Sequence, residues 1–188
     1  MLISRIILSA LLTSKLSSSP ACHYIENLEP LPPTPVGSML KPIESNDLNE
    51  INDLFVSSKK HWGYKKDVLK TFFDKYLLKP TDLEMPSYAV WEKNKPIGFM
   101  TTLIQDDELW LDNLFIHPNY FRKGLGTYLF NVAVAVAKEN GYSSFKLISD
   151  PNANIFYEKK GCKFVGSVPS SYNEMVNQNI YEFNIPAE

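Results

Sequence analysis

Hydrophobic positions along the chain repeat with two periods, and the switches between them divide the sequence into elements. In "SNDLNEINDLF" (45–55) the apolar residues Leu48, Ile51 and Leu54 recur every three positions, which predicts a helix with Ser45 or Asn46 as its N-cap. "KKDVLKTFFDKYLL" (65–78) puts Val68, Phe72 and Tyr76 on one stripe and predicts a second helix. The period then drops to two. "PSYAVWE" (86–92) and "IGFMTTLI" (97–104) are joined by the turn "KNKP", and "ELWLDNLFI" (108–116) follows the tight "QDD" turn, so three antiparallel strands form a meander. "MLKPIE" (39–44) reads as a short strand ahead of the first helix. Beyond the meander come a helix over 124–139 closed by Asn140-Gly141, a strand "SFKLIS" (144–149), a helix over 151–160, a strand "CKFVG" (162–166) and a last strand "NIYEFNI" (179–185). The pattern is that of an α/β (mixed α+β) domain with helices between the strands of a central mixed, mostly antiparallel sheet.

The first 37 residues do not share these periods. Arg5 precedes the apolar run "IILSALL", and the proline-rich "LEPLPPTPVG" (28–37) does not suit a packed element. A secretory signal would explain the charged start, the short apolar stretch and the small residues before Cys22, but Lys15 interrupts it and the run is far below the roughly 20 residues that span a bilayer. The alternative is an extension outside the domain, with Met39 as the natural beginning, so the expected division is 1–37 and 38–188. The net charge of −2 supplies no global field for nucleic acid or an acidic membrane, and neither is expected as a partner. Two cysteines, Cys22 and Cys162, are too few for a disulfide framework and lack metal-site spacing, which points to a reducing, cytoplasmic setting and to no metal.

One stretch carries candidate chemistry. "HPNYFRKGLGTYLF" (117–130) sets Gly124 and Gly126 between a strand and a helix, directly after Arg122 and Lys123. Unsatisfied amides and the dipole at a helix start attract an anion, and glycines let it approach closely. A phosphate or pyrophosphate is the sensible guest. The phosphate-loop pattern G-x-x-x-x-G-K-[ST] is absent, and the dinucleotide fingerprint G-x-G-x-x-G lacks its third glycine, where Leu129 stands. A plain turn with close helix packing is the alternative.

"LFIHPNYFRKGLGTYLF" followed by "DPNANIFYEKKGCKFVG" resembles the two signature motifs of the GNAT-type N-acetyltransferases, and the likeness runs over residues 39–167 in element order. "SKKHWGY" (58–64) and the segment 149–170 resemble strings of an uncharacterised bacterial branch of that family. The resemblance implies a GNAT-like fold with about four helices, in which two neighbouring core strands splay apart and admit acetyl-CoA as co-substrate. The pyrophosphate would rest on the amides of Arg122, Lys123, Gly124, Leu125, Gly126 and Thr127. The segment Leu114, Phe115 and Ile116 would pair with the pantetheine arm like an added strand, and Asn152 would join the cofactor site. Three residues depart from the usual motif: Phe121 replaces Gln or Arg, Asp150 replaces Asn, and Cys162 replaces Phe.

N-acetyl transfer sets its own requirements. An alkyl amine with a pKa near ~10.4 must lose a proton to attack a thioester, and the departing thiolate must gain one. Asp112, in the middle of "LWLDNLFI", is the candidate base, whereas Asp107 and Glu108 belong to the turn; a strand N–H near Leu114 would serve the developing oxyanion. Tyr157 is the candidate acid. Each has a plainer alternative: Tyr157 shares a packing stripe with Ala153 and Phe156, Asp112 could be a solvent-facing strand residue, and Asp150 before Pro151 suits helix initiation. His61, Trp62 and Tyr64 are candidates to line the acceptor pocket, and the lysine-rich stretch from Lys59 to Lys79 reads as a solvated face, with attraction of an anionic acceptor as the alternative. Two functions therefore compete: acetyl transfer to a small-molecule or protein amine, by a monomer or a homodimer, and a non-catalytic acyl-CoA-binding or interaction module.

Overall fold

The computed structural model describes residues 34, 37–172 and 176–186. The expectations for a signal-like segment and for Cys22 lie outside the described residues. Within them the chain runs β1 (Met39–Pro42), α1 (Leu48–Lys60), α2 (Lys66–Tyr76), β2 (Ser87–Glu92), β3 (Lys95–Gln105), β4 (Glu108–Ile116), α3 (Leu125–Glu139), β5 (Ser144–Ser149), α4 (Asn154–Lys159), β6 (Lys163–Pro169) and β7 (Asn177–Asn184). The strands form one seven-stranded sheet in the order β1-β2-β3-β4-β5-β7-β6. Every neighbouring pair is antiparallel except β4 and β5, which are parallel and joined by the crossover helix α3.

Strand alternation builds two cores. Phe99 of β3 and Phe115 of β4 point to one face, where they meet Ile51, Leu54 and Phe55 of α1 and Phe72 and Tyr76 of α2. Met100, Leu114 and Ile116 point to the other, where α3 presents Leu125, Tyr128, Leu129, Val132, Ala133 and Val136 at helical spacing. Gly98 marks the closest approach on that side. A Cβ there would stand 2.9 Å from Ile116 Cδ1, 3.0 Å from Leu129 Cδ1 and 3.1 Å from Leu125 Cδ2.

The turns follow the sequence. Asp106 and Asp107 both take positive φ, 52° and 62°, as a two-residue hairpin turn between right-twisted strands requires. Gly141, at φ 76°, ends α3: its amide donates to Lys138 O and that of Tyr142 to Ala137 O. Gly161 ends α4 in the same way, and the amide of Cys162 donates to Tyr157 O, which seats the cysteine against the tyrosine. Two helix starts differ from expectation. Neither Ser45 nor Asn46 caps α1; a 3-10 turn over Ser45–Asp47 precedes it, with Glu44 and Asp47 forming a reciprocal capping box. The helix expected over 151–160 is a 3-10 turn, Pro151–Ala153, followed by the short α4, because Asp150 accepts from the Asn152 amide and tightens the first turn.

Gly98→Val is expected to overfill the β3–α3 contact and lower the unfolding free energy by about 1–3 kcal/mol. Urea denaturation at constant m-value measures this, and an unchanged midpoint would contradict the packing described.

Candidate active site

The site begins where β4 and β5 stop pairing. Among the described residues they share one register pair, Trp110 with Lys146, although β4 continues to Ile116 and β5 to Ser149. A bulge sits just past that pair: Thr101 of β3 faces Asn113 and Thr102 faces Leu111, so Asp112 is the extra residue. From there the main chain of Leu114, Phe115 and Ile116 has β3 on one side and no pairing to β5 on the other.

The gap leads to the glycine loop. Gly124 is the N-cap of α3 in the left-handed conformation, φ 83°, and Arg122 also takes positive φ, 60°. No main-chain acceptor serves the amides of Arg122, Lys123, Gly124, Leu125, Gly126 or Thr127 among the described residues. They gather at the positive end of a 15-residue helix. A cleft of about 630 Å³ opens in front of them, lined by Ile116, Arg122, Gly124, Gly126, Thr127 and Asn152 together with residues of α4 and of the α1–α2 loop. One wall is aromatic: Trp62 stacks on Phe121 at 5.9 Å and His61 meets Phe121 edge-on at 5.0 Å. The residue that departs from the motif thus packs against the end of α1.

Tyr157 is not among the residues that line the cleft, although its neighbour Phe156 and Ala153, one turn earlier, are. Its side chain is fully buried and its hydroxyl has no hydrogen-bond partner among the described residues. An orphaned buried hydroxyl is costly, and a ligand atom would complete it. Burial, then the charges of Cys162 and Asp150, push the phenol well above its usual range, so it is protonated at neutral pH. Asp112 is not solvent-facing. It is 2% exposed and accepts from Asn113 Nδ2 at 2.7 Å and Thr101 Oγ1 at 3.4 Å. His61 is exposed, and Trp62 and Tyr64 are half-buried.

A polar cluster beside this cleft corrects the reading of Lys59. Far from a solvated face, Lys59 is 0% exposed and its Nζ lies 2.9 Å from Asp150 Oδ2, at the end of β5. Its ammonium sits over the rings of Tyr64, Phe72 and Tyr172 at 4.1, 4.7 and 4.5 Å. Tyr64 Oη donates to the same Asp150 oxygen at 2.5 Å, while Asp150 Oδ1 accepts from the amide and Nδ2 of Asn152, both at 2.9 Å. Desolvation lowers Lys59 to about 8 despite the attraction of Asp150. For Asp150 burial alone would raise the pKa, but the Lys59 charge and the Tyr64 and Asn152 hydrogen bonds together hold it below the usual carboxylate range. Asp150 is therefore helix cap and ion-pair partner at once. The signal for Lys59 was present in the sequence: it falls four and eight residues after Phe55 and Ile51, on the apolar stripe of α1.

The acetyltransferase (GNAT) family matches residues 48–164, which is more than half of the chain. The protein belongs to the GNAT acetyltransferase family. An uncharacterized N-acetyltransferase of Methanocaldococcus jannaschii is 25% identical over 140 residues, which are 65% of this chain; the chain spans about three-fifths (59%) of that relative. The GNAT fold is found again in the PaiA N-acetyltransferase of Thermoplasma acidophilum, solved with coenzyme A, at TM-score 0.66 and 19% identity over 78% of this chain and 98% of that one. A GCN5-related N-acetyltransferase of Rhodopseudomonas palustris aligns at TM-score 0.67 and 18% identity over 79% and 96% of the two chains.

For this GNAT protein, Asp150→Asn alone is expected to cost about 3–5 kcal/mol of stability, because Lys59 loses its partner in a dry site and must stay charged unpaired or give up its proton. The double variant Lys59→Met/Asp150→Asn should lose less than the two single losses combined, and strict additivity in urea unfolding would contradict the pairing. The pH dependence has a definite sign. Lys59 titrates near 8 when folded and at its ordinary value when unfolded, so between pH 8 and 10 the unfolded chain holds more protons and this group adds stability as pH rises. Lys59→Met should remove that rise.

Proposed function

We propose that the protein transfers an acetyl group from acetyl-CoA to a primary amine. The observation that supports this best is the orphaned Tyr157 hydroxyl beside a cleft that joins parted strands to a helix N-terminus. The residues present fit the co-substrate. Amides 122–127, with Arg122 and Lys123, suit a diphosphate, and the open edge of β4 at Leu114 and Ile116 suits an amide-bearing pantetheine arm. Acetyl-CoA supplies an acetyl thioester, already activated toward attack by an amine.

The chain's own groups do the rest. Asp112, at the bulge where the strands part, takes the proton that the amine nitrogen sheds as its bond to the acetyl carbon forms. A main-chain N–H near Leu114 faces the charge that builds on the carbonyl oxygen. As the carbon–sulfur bond breaks, Tyr157 Oη gives its proton to the sulfur and recovers one from solvent in the next cycle. A raised phenol pKa does not defeat this step. The same dry surroundings push the thiol of Cys162, seated against Tyr157, up to about 12, so a thiolate formed nearby is disfavoured along with the phenolate.

Catalysis is measured as free thiol release from acetyl-CoA across a panel of amines, with coenzyme A uptake followed separately by calorimetry. The wild type should bind coenzyme A and turn over at least one amine, and Tyr157→Phe should keep the binding while kcat falls about a hundredfold. Binding without turnover of any amine would favour a non-catalytic coenzyme A module. Equal rates for Tyr157→Phe would remove the tyrosine from the acid role.

A further inference from the structure

Around the buried Lys59–Asp150 pair, two polar side chains of the cluster are not sealed: the half-buried Tyr64 and the exposed Asn152. A tyrosine hydroxyl has one proton to donate and two lone pairs that accept. The proton of Tyr64 is committed to Asp150 Oδ2 at 2.5 Å, and one lone pair accepts from Asn152 Nδ2 at 3.1 Å. The second lone pair has no partner among the described residues, and the side chain is half-buried rather than sealed. Asp150 itself has no capacity left: Lys59, Tyr64 and Tyr172 converge on Oδ2, and Asn152 holds Oδ1 twice.

Tyr64 stands one hydrogen bond from Asn152, which lines the cleft, and Asp150 is close enough to Tyr157 for its charge to bear on the phenol. We infer that Tyr64 Oη receives an N–H of the acceptor amine, and that Lys59 and Asp150 are positioning residues that keep the hydroxyl proton turned inward. The inference rests on the acetyl-transfer reading and gives it a substrate determinant. An amine whose N–H is held on Tyr64 keeps its own lone pair for attack, so the site selects primary amines that can spare a hydrogen. Tyr64 does not remove a proton from the amine. Burial and the Asp150 charge raise its phenol above the usual range, so it remains a neutral hydroxyl at working pH.

The test uses the full chain and four acceptors: an aliphatic diamine, an amino sugar, a peptide with a free α-amino group and a lysine-containing peptide. For whichever is turned over, Tyr64→Phe should raise the amine KM about five- to tenfold with the acetyl-CoA KM within about twofold. Asp150→Asn, which frees the hydroxyl to turn outward, should shift the amine KM in the same direction. Unchanged amine kinetics in Tyr64→Phe, with the wild type active, would overturn this assignment and leave acetyl transfer standing. A parallel rise in the acetyl-CoA KM would overturn it too, by assigning Tyr64 to the cofactor through Asn152. If the wild type takes up coenzyme A in calorimetry but turns over none of the four amines, the acetyl-transfer reading fails and the assignment falls with it.

Discussion

Two adjacent parallel strands that pair once and then separate impose the constraint on which the site depends. A sheet normally satisfies the main-chain groups of its inner strands on both sides, and leaving a run of them without partners in the middle of a sheet is costly. Here β4 keeps β3 through Ile116, while β5 parts from β4 after Trp110–Lys146 and stays paired along its far edge with β7, from Ser144–Asn184 to Ser149–Asn179. The opening is held from outside. On one face Phe55, Phe99 and Phe115 lock α1 to β3 and β4, with ring centroids 4.1–5.8 Å apart; on the other α3 packs through Gly98. Neither strand can swing back to close the gap without disturbing a core.

The same separation explains why the chemistry collects at this point. A bulge, the start of α3 and the end of α4 lie around the opening, each contributing groups that regular secondary structure would have consumed. The bulge turns Asp112 into the interior, the α3 N-terminus leaves amides 122–127 without main-chain acceptors, and the glycine cap of α4 seats Cys162 against Tyr157. Phe121 fits this picture. By stacking on Trp62 it ties the glycine loop to the residues just past α1, so the two ends of the cleft share an aromatic wall.

Elements with a strong local period were readable in the sequence. The helix 124–139 was legible because its apolar stripe, its glycine loop and its Asn-Gly stop all agree, and the structure gives Leu125–Glu139. The meander was legible from alternation and paired turns, with β2, β3 and β4 within a residue or two of expectation. The expectation of a GNAT-like fold rested on two motifs, and the sheet order and family match bear it out. Less legible was whatever depends on distant residues. Lys59 looked like one of many surface lysines because Asp150 is 91 positions away and Tyr172 is 113 positions away. Asp150 looked like a simple helix starter because a cap needs only the next two residues, whereas its ion pair needs the folded sheet.

The Lys59 cluster also bears on why a charged pair is kept in a place that an apolar pair could fill. Buried ion pairs add little net stability, since each charge loses its hydration. The lowered pKa of Lys59 records that loss directly. What such a pair supplies is direction. A hydrophobic replacement of Lys59 and Asp150 would leave the hydroxyls of Tyr64 and Tyr172 and the amide of Asn152 without their common acceptor. With the carboxylate present, groups from the α1–α2 loop, the β5–α4 junction and the segment after β6 aim at two oxygen atoms. Three chain segments are thereby fixed relative to the parted strands, and the Tyr64 hydroxyl proton is held on the carboxylate.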